Sequence, residues 1–135
     1  MPQITVKAAI ENLPAVTSFV DEMLEANGCG MKALMQLNIA VDELFSNIAH
    51  YAYPGGAGEV TVTAAFDAPQ RLFVLTFTDS GIPYNPLDRE DPDITLSAEE
   101  RQIGGLGIMM VRKTMDGMTY EYTDGHNILT ISKKI

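Results

Sequence analysis

The longest unbroken pattern in the chain runs from Met31 to Tyr51, which holds no proline or glycine. Within it Leu34, Leu37, Ala40, Val41, Leu44, Ile48 and Ala49 recur at intervals of three and four, which predicts a helix with one broad apolar side. Ahead of it, Ile4 to Ala8 alternates as a first strand, and Leu13, Val16, Val20, Met23 and Leu24 keep helical spacing up to Gly28. Pro54-Gly55-Gly56 ends the long helix. Val60 to Phe66 and Leu72 to Thr78 then read as β-branched and aromatic strands, an antiparallel pair joined by Asp67-Ala68-Pro69-Gln70.

From Ser80 to Gly105 the pattern changes, with Pro83, Pro86 and Pro92 among many acidic and few apolar residues. A loop of that length inside a compact domain is either functional or disordered, so residues 82–105 are expected to form a mobile lid. A short helix from about Ile108 to Met115 follows, and then a hairpin of Met118–Thr123 and Ile128–Ser132 across Asp124-Gly125-His126-Asn127. There is no internal repeat, and strands and helices mix without strict alternation. The expected architecture is one α+β domain over residues 1–135, a sheet with helices on a single face.

Composition narrows what such a domain binds. A net charge of −9 gives a mean field that repels polyanions and excludes unaided binding to nucleic acid or an anionic membrane. A phosphate ligand therefore needs local help from backbone amides, a helix N-terminus and a divalent cation. The lone Cys29 cannot form an internal disulfide, and no Cys/His spacing suits zinc. The start MPQITVKAAI lacks a basic, apolar leader, and no run approaches the roughly 18 apolar residues of a membrane span. A cytoplasmic protein is expected.

Three groups of residues can carry chemistry. Glu43 and Asn47 lie four apart on the long helix and so share a face, where an amide oxygen can serve magnesium and a carboxylate can take a proton. The same pair also suits a solvated helix face. Asp79-Ser80-Gly81 sits where a strand ends. There a carboxylate can accept a hydrogen bond from an exocyclic amine such as that of adenine, and Gly81 lets backbone approach the ring; a plain turn is the simpler use. Gly104-Gly105-Leu106-Gly107 precedes a helix and can aim amides at phosphates, or serve only as a hinge. Arg101 in the lid is a candidate for the γ-phosphate, and Arg112 and Lys113 read as helix-end charges. His50, near the face of Asn47, is a candidate for orienting Glu43 or a phosphate, or else a buried structural histidine.

Together, Glu43-Leu44-Phe45-Ser46-Asn47 with His50-Tyr51-Ala52-Tyr53, then Asp79-Ser80-Gly81-Ile82-Pro83-Tyr84-Asn85-Pro86, then Gly104-Gly105-Leu106-Gly107 resemble the N, G1 and G2 boxes of GHKL (Bergerat-fold) ATPases in the same order. Asn127-Ile128-Leu129-Thr130-Ile131 is similar to their last strand, so the resemblance covers residue 30 to the end. The Asn-x-x-His-x-Tyr pattern and the Pro-Tyr-Asn-Pro extension resemble the branch of anti-sigma factor serine-protein kinases.

The resemblance implies a two-layer α/β sandwich with a mixed, mostly antiparallel sheet. It implies ATP and Mg2+ as cofactors, with Asn47 on the metal and Glu43 as general base. Asp79 and Gly81 would hold adenine with help from Thr130, and Gly105 and Gly107 would meet the phosphates. The reaction implied is transfer of the γ-phosphate to a serine of an anti-sigma factor antagonist, with a sigma factor as a second partner and a homodimer as the assembly. A module that binds nucleotide only to regulate a partner by contact is the alternative.

Overall fold

The computed structural model describes residues 1–88 and 105–135. In chain order β1 spans Gln3–Lys7, α1 Leu13–Ala26, α2 Met31–Tyr51, β2 Glu59–Asp67, β3 Leu72–Asp79, α3 Gly105–Thr114, β4 Gly117–Thr123 and β5 His126–Lys134. The apolar pattern gives α2 its bounds, because it runs unbroken between Gly30 and the Pro54-Gly55-Gly56 turn. α1 closes on Gly28, whose φ of 71° lets the Cys29 amide reach the Leu24 carbonyl at 3.0 Å and its own amide reach Glu25 at 3.2 Å, a Schellman stop.

Among the described residues the five strands form one sheet in the order β1-β2-β3-β5-β4, with each of these pairings antiparallel. This bears out the expected α+β sandwich with a mostly antiparallel sheet. The connection through α3 delivers β4 to the outer edge and leaves β5, reached by a tight hairpin, to pair with β3. β2, β3 and β5 alternate strictly: Val60, Val62, Ala64, Phe73, Leu75, Phe77, Leu129 and Ile131 are buried. They pack against Val16, Val20 and Leu24 of α1, Leu37, Val41, Leu44 and Phe45 of α2, and Ile108 and Val111 of α3. Neither α1 nor α2 has a side-chain bond at its N-cap. A cap contributes about 1 kcal/mol and each buried large apolar side chain about 1.5–3 kcal/mol, so packing holds these helices in place.

The sheet's other face carries hydroxyls. Thr5 and Thr61 pair across β1 and β2 with their hydroxyls 2.8 Å apart, and Thr76 pairs with Thr130 across β3 and β5. Among the described residues no helix is long and apolar enough to cross a membrane.

The β4–β5 hairpin is tighter than its sequence suggests. Thr123 pairs with His126, so the turn is only Asp124-Gly125, with φ of 53° and 79°. Nothing lies within 4 Å of where a Gly125 Cβ would stand, so the cost of a side chain there is one of backbone conformation alone. Gly125→Ala is expected to lower stability by about 1–2 kcal/mol, read as a lower urea midpoint at unchanged slope.

Candidate functional site

α2 points its C-terminal half at the ends of β3 and β5, and the site is built in that corner. β3 carries Asp79 to its last position, where it is 4% exposed. One oxygen, Oδ1, accepts both the Gly81 amide and the Asn127 side-chain amide at 2.9 Å each. Those two bonds fix the carboxylate and leave Oδ2 as its remaining acceptor. Asn127 is itself 4% exposed and clamped: its Nδ2 also donates to the Ile82 carbonyl at 2.8 Å, while its Oδ1 accepts the Tyr84 amide at 3.1 Å and the Tyr120 hydroxyl.

The turn after Asp79 is anchored to α2. Ile82 donates to the Ala52 carbonyl at 2.8 Å, and a Cβ on Gly81 would come within 2.2 Å of that oxygen. Glycine is thus required here by the approach of protein backbone, where the sequence suggested the approach of a ligand ring. Tyr53 completes the anchor: its hydroxyl donates to the Glu59 carbonyl at 2.6 Å and accepts the Ser80 amide at 2.8 Å, and its ring covers Gly58. Burial pushes the Tyr53 hydroxyl's pKa up, which keeps its proton on and the bond to Glu59 made.

Between α2 and these strand ends lies a pocket with apolar walls from Leu44, Ile48 and Leu129 and with Asp79, Asn127 and Asn47 as its polar groups. Its enclosed volume is about 20 Å3, room for about one water, and Tyr84 and Pro86 form its wall opposite α2. Tyr84 stacks on Tyr51 with ring centroids 5.4 Å apart, and Arg112 reaches from α3 to the Pro86 and Leu87 carbonyls. Arg112, read from sequence as a helix-end charge, therefore ties α3 to the start of the expected lid. Residues 82–87 are fastened to the site, residues 89–104 of that expected lid lie outside the described residues, and Gly105 opens α3.

Asn47 is 6% exposed and its Nδ2 has no hydrogen-bond partner among the described residues, an expensive arrangement for a buried amide. One turn earlier, Glu43 meets α3: a Cβ on Gly107 would stand 2.0 Å from Glu43 Oε2. Any side chain there would force the Glu43 carboxylate or the helix end to shift. α3 begins at Gly105, three residues before the expected Ile108, so Gly105, Leu106 and Gly107 form its first turn, where amides have no intrahelical acceptor. The positive end of the helix thus faces the Glu43 carboxylate.

The structure brings Glu43, Asn47, Asp79, Gly81 and Gly107 to one corner. It does not bring Thr130. Alternation along β5 turns Asn127 and Leu129 into the pocket and Thr130 to the opposite face, where its hydroxyl lies 3.5 Å from that of Thr76. His50 is exposed, with Nδ1 donating to its own helix's Ser46 carbonyl at 2.8 Å; it is neither buried nor part of the pocket wall. Arg101 and Gly104 lie outside the described residues. Sequence reading missed Asn127 as a site residue because it took Asn127 for a turn. The signal is the two-residue alternation Asn127, Leu129, Ile131.

Residues 6–133 match the family described as the histidine kinase-like ATPase domain. Among curated proteins, the serine/threonine-protein kinase BtrW of Bordetella bronchiseptica is 30% identical over 97 residues, 71% of this chain and 67% of that protein. The serine-protein kinase RsbW of Listeria monocytogenes is 27% identical over 107 residues, 76% of this chain and 67% of its own.

Two solved structures share the fold at 15% identity. The RsbU and RsbW domains of a Mycobacterium tuberculosis protein superpose with a TM-score of 0.65 over 99% of this chain, which spans only 32% of that one. The histidine kinase domain of an Erythrobacter litoralis blue-light activated histidine kinase gives 0.57 over 90% of this chain and 60% of its own. The chain belongs to the histidine kinase-like ATPase domain family, the GHKL superfamily, and within it to the branch of the serine-protein kinases.

Proposed function

We propose that this protein binds ATP with magnesium in the corner between α2, β3 and β5, and transfers the γ-phosphate to a serine of a small antagonist protein. The observation that carries the reading is Asp79, a buried carboxylate at the mouth of an apolar pocket with one oxygen saturated and one left for an amine. An adenine ring suits that arrangement: its faces meet Leu44, Ile48 and Leu129 while its exocyclic amine donates to Asp79.

The residues present fit magnesium. Among the described residues no group of three His, Cys, Asp or Glu could hold a metal. Magnesium needs only one or two protein oxygens and takes the rest from phosphates and water. Asn47 supplies one, and its unpartnered Nδ2 leaves the amide's orientation open to such a ligand. When bound, the ion neutralises charge on the phosphate oxygens. The first-turn amides of α3 hold phosphate, and Glu43 takes the proton of the attacking serine hydroxyl as its oxygen bonds to the γ-phosphorus and ADP leaves.

The names of the serine-protein kinase relatives support phosphoryl transfer to serine, and the branch resemblance supports an anti-sigma factor antagonist as acceptor and a sigma factor as the sequestered partner. Calorimetric titration with ATP tests the core of the reading. Wild type is expected to bind ATP more tightly with magnesium than with chelator, and Asn47→Ala to bind it equally in both. No heat of binding by the wild type would overturn the proposal.

A further inference from the structure

At the far end of the sheet from Asp79, the chain gathers positive charge that the nucleotide reading does not use. Leu72 at the start of β3 pairs with Lys134, whereas Asp79 at its end pairs with Asn127, so the two regions are about 24 Å apart along the strand. There Lys32 in the first turn of α2, Lys113 in the last turn of α3, and Lys133 and Lys134 at the end of β5 line one open groove of about 570 Å3. The groove holds four of the chain's nine Lys and Arg but only one of its eighteen Asp and Glu, Asp116. Even that carboxylate is engaged, with Oδ2 accepting the Lys134 amide at 2.7 Å.

Folding accounts for part of this cluster. Lys133 donates to the Thr114 carbonyl at 2.7 Å and so caps α3, and Lys113 complements the same helix end. Lys32 does the reverse: it puts a cation at the positive end of α2, whose first turn has no acidic residue. Lys134 is exposed and adds like charge.

We infer that this groove docks an acidic segment of a partner protein. The chain's net charge of −9 repels nucleic acid and anionic membrane at a distance. A carboxylate-bearing segment that a partner presents within the screening length of about 8–10 Å meets the lysines instead. Ala33, Met115 and Ile135, which line the same groove, offer apolar contacts beside the charge. The segment is therefore one in which acidic and apolar residues are interleaved.

The inference is independent of the ATP site. Its test is fluorescence anisotropy with a labelled ten-residue peptide of alternating Glu and Leu, set against a Lys-for-Glu version and oligothymidylate of equal length. Wild type is expected to bind the acidic peptide saturably and more weakly as salt rises. The triple variant Lys32→Gln/Lys113→Gln/Lys134→Gln is expected to bind about tenfold more weakly, while Lys7→Gln on β1 stays within about twofold. ATP affinity of the triple variant should match wild type. The inference is overturned if the wild type shows no saturable binding, if the triple variant binds like the wild type, or if oligothymidylate binds as tightly as the peptide.

Discussion

Asp79→Asn is expected to lower the affinity for ATP by about a hundredfold, because no orientation of the new amide can do what the carboxylate does. Asp79 Oδ1 receives two N–H groups, from Gly81 and from Asn127, both at 2.9 Å. If the asparagine keeps its oxygen there, its nitrogen replaces Oδ2 and points two hydrogens at the adenine amine. If it flips, those hydrogens face Gly81 and Asn127 instead. Either way donor meets donor in a place where Asp79 is 4% exposed and bulk water cannot compensate. Removing one hydrogen bond to a charged group costs about 1.5–3 kcal/mol, which is roughly one to two powers of ten in affinity. Guanine presents a carbonyl where adenine presents an amine, so GTP affinity should fall less and the preference for ATP should shrink. Calorimetry with both nucleotides reads the result, with circular dichroism to show that the variant is folded. An ATP affinity within about threefold of wild type, against the expected hundredfold, would remove Asp79 from the site.

The parts of this site that were legible in the sequence are those set by one strong local pattern. α2 was readable to its ends because its apolar face is continuous, and that alone places Glu43 and Asn47 one turn apart. Asp79 was readable because the alternating strand β3 ends on it. What escaped depends on contacts between distant segments. α3 starts within the glycine run, where Gly107 passes Glu43 of α2 at close range, despite the poor helix propensity of glycine. Asn127 and Thr130 depended on the hairpin register. A four-residue turn ends strand alternation before Asn127, whereas the two-residue turn observed carries the alternation through it. The direction of β5 beside β3 follows from the whole sheet order and has no local signal. His50 shows the limit of helical spacing: residues one turn apart share a face, yet a side chain can still bond its own helix.

Glu43→Gln is expected to slow phosphate transfer to the cognate antagonist by about 10²–10⁴-fold while ATP affinity stays within about threefold. Glutamine keeps the shape that packs against Gly107 and loses only the ability to accept the serine proton. Gly107→Ala approaches the same point from the other side. Its methyl would fall 2.0 Å from Glu43 Oε2, so the carboxylate must swing away or the first turn of α3 must move. Transfer should therefore drop although the carboxylate is retained, and the phosphate contacts proposed for that turn should weaken, raising KM for ATP as well as lowering kcat. The two variants separate proton transfer from positioning: a pure base defect lowers kcat alone, whereas a displaced helix end moves both constants. Transfer at the wild-type rate by Glu43→Gln would show that Glu43 is not the base. If neither wild type nor variant transfers phosphate while both bind ATP, the protein acts on its partner by nucleotide-dependent contact, because Asp79 and Asn47 can hold a nucleotide without any proton being moved.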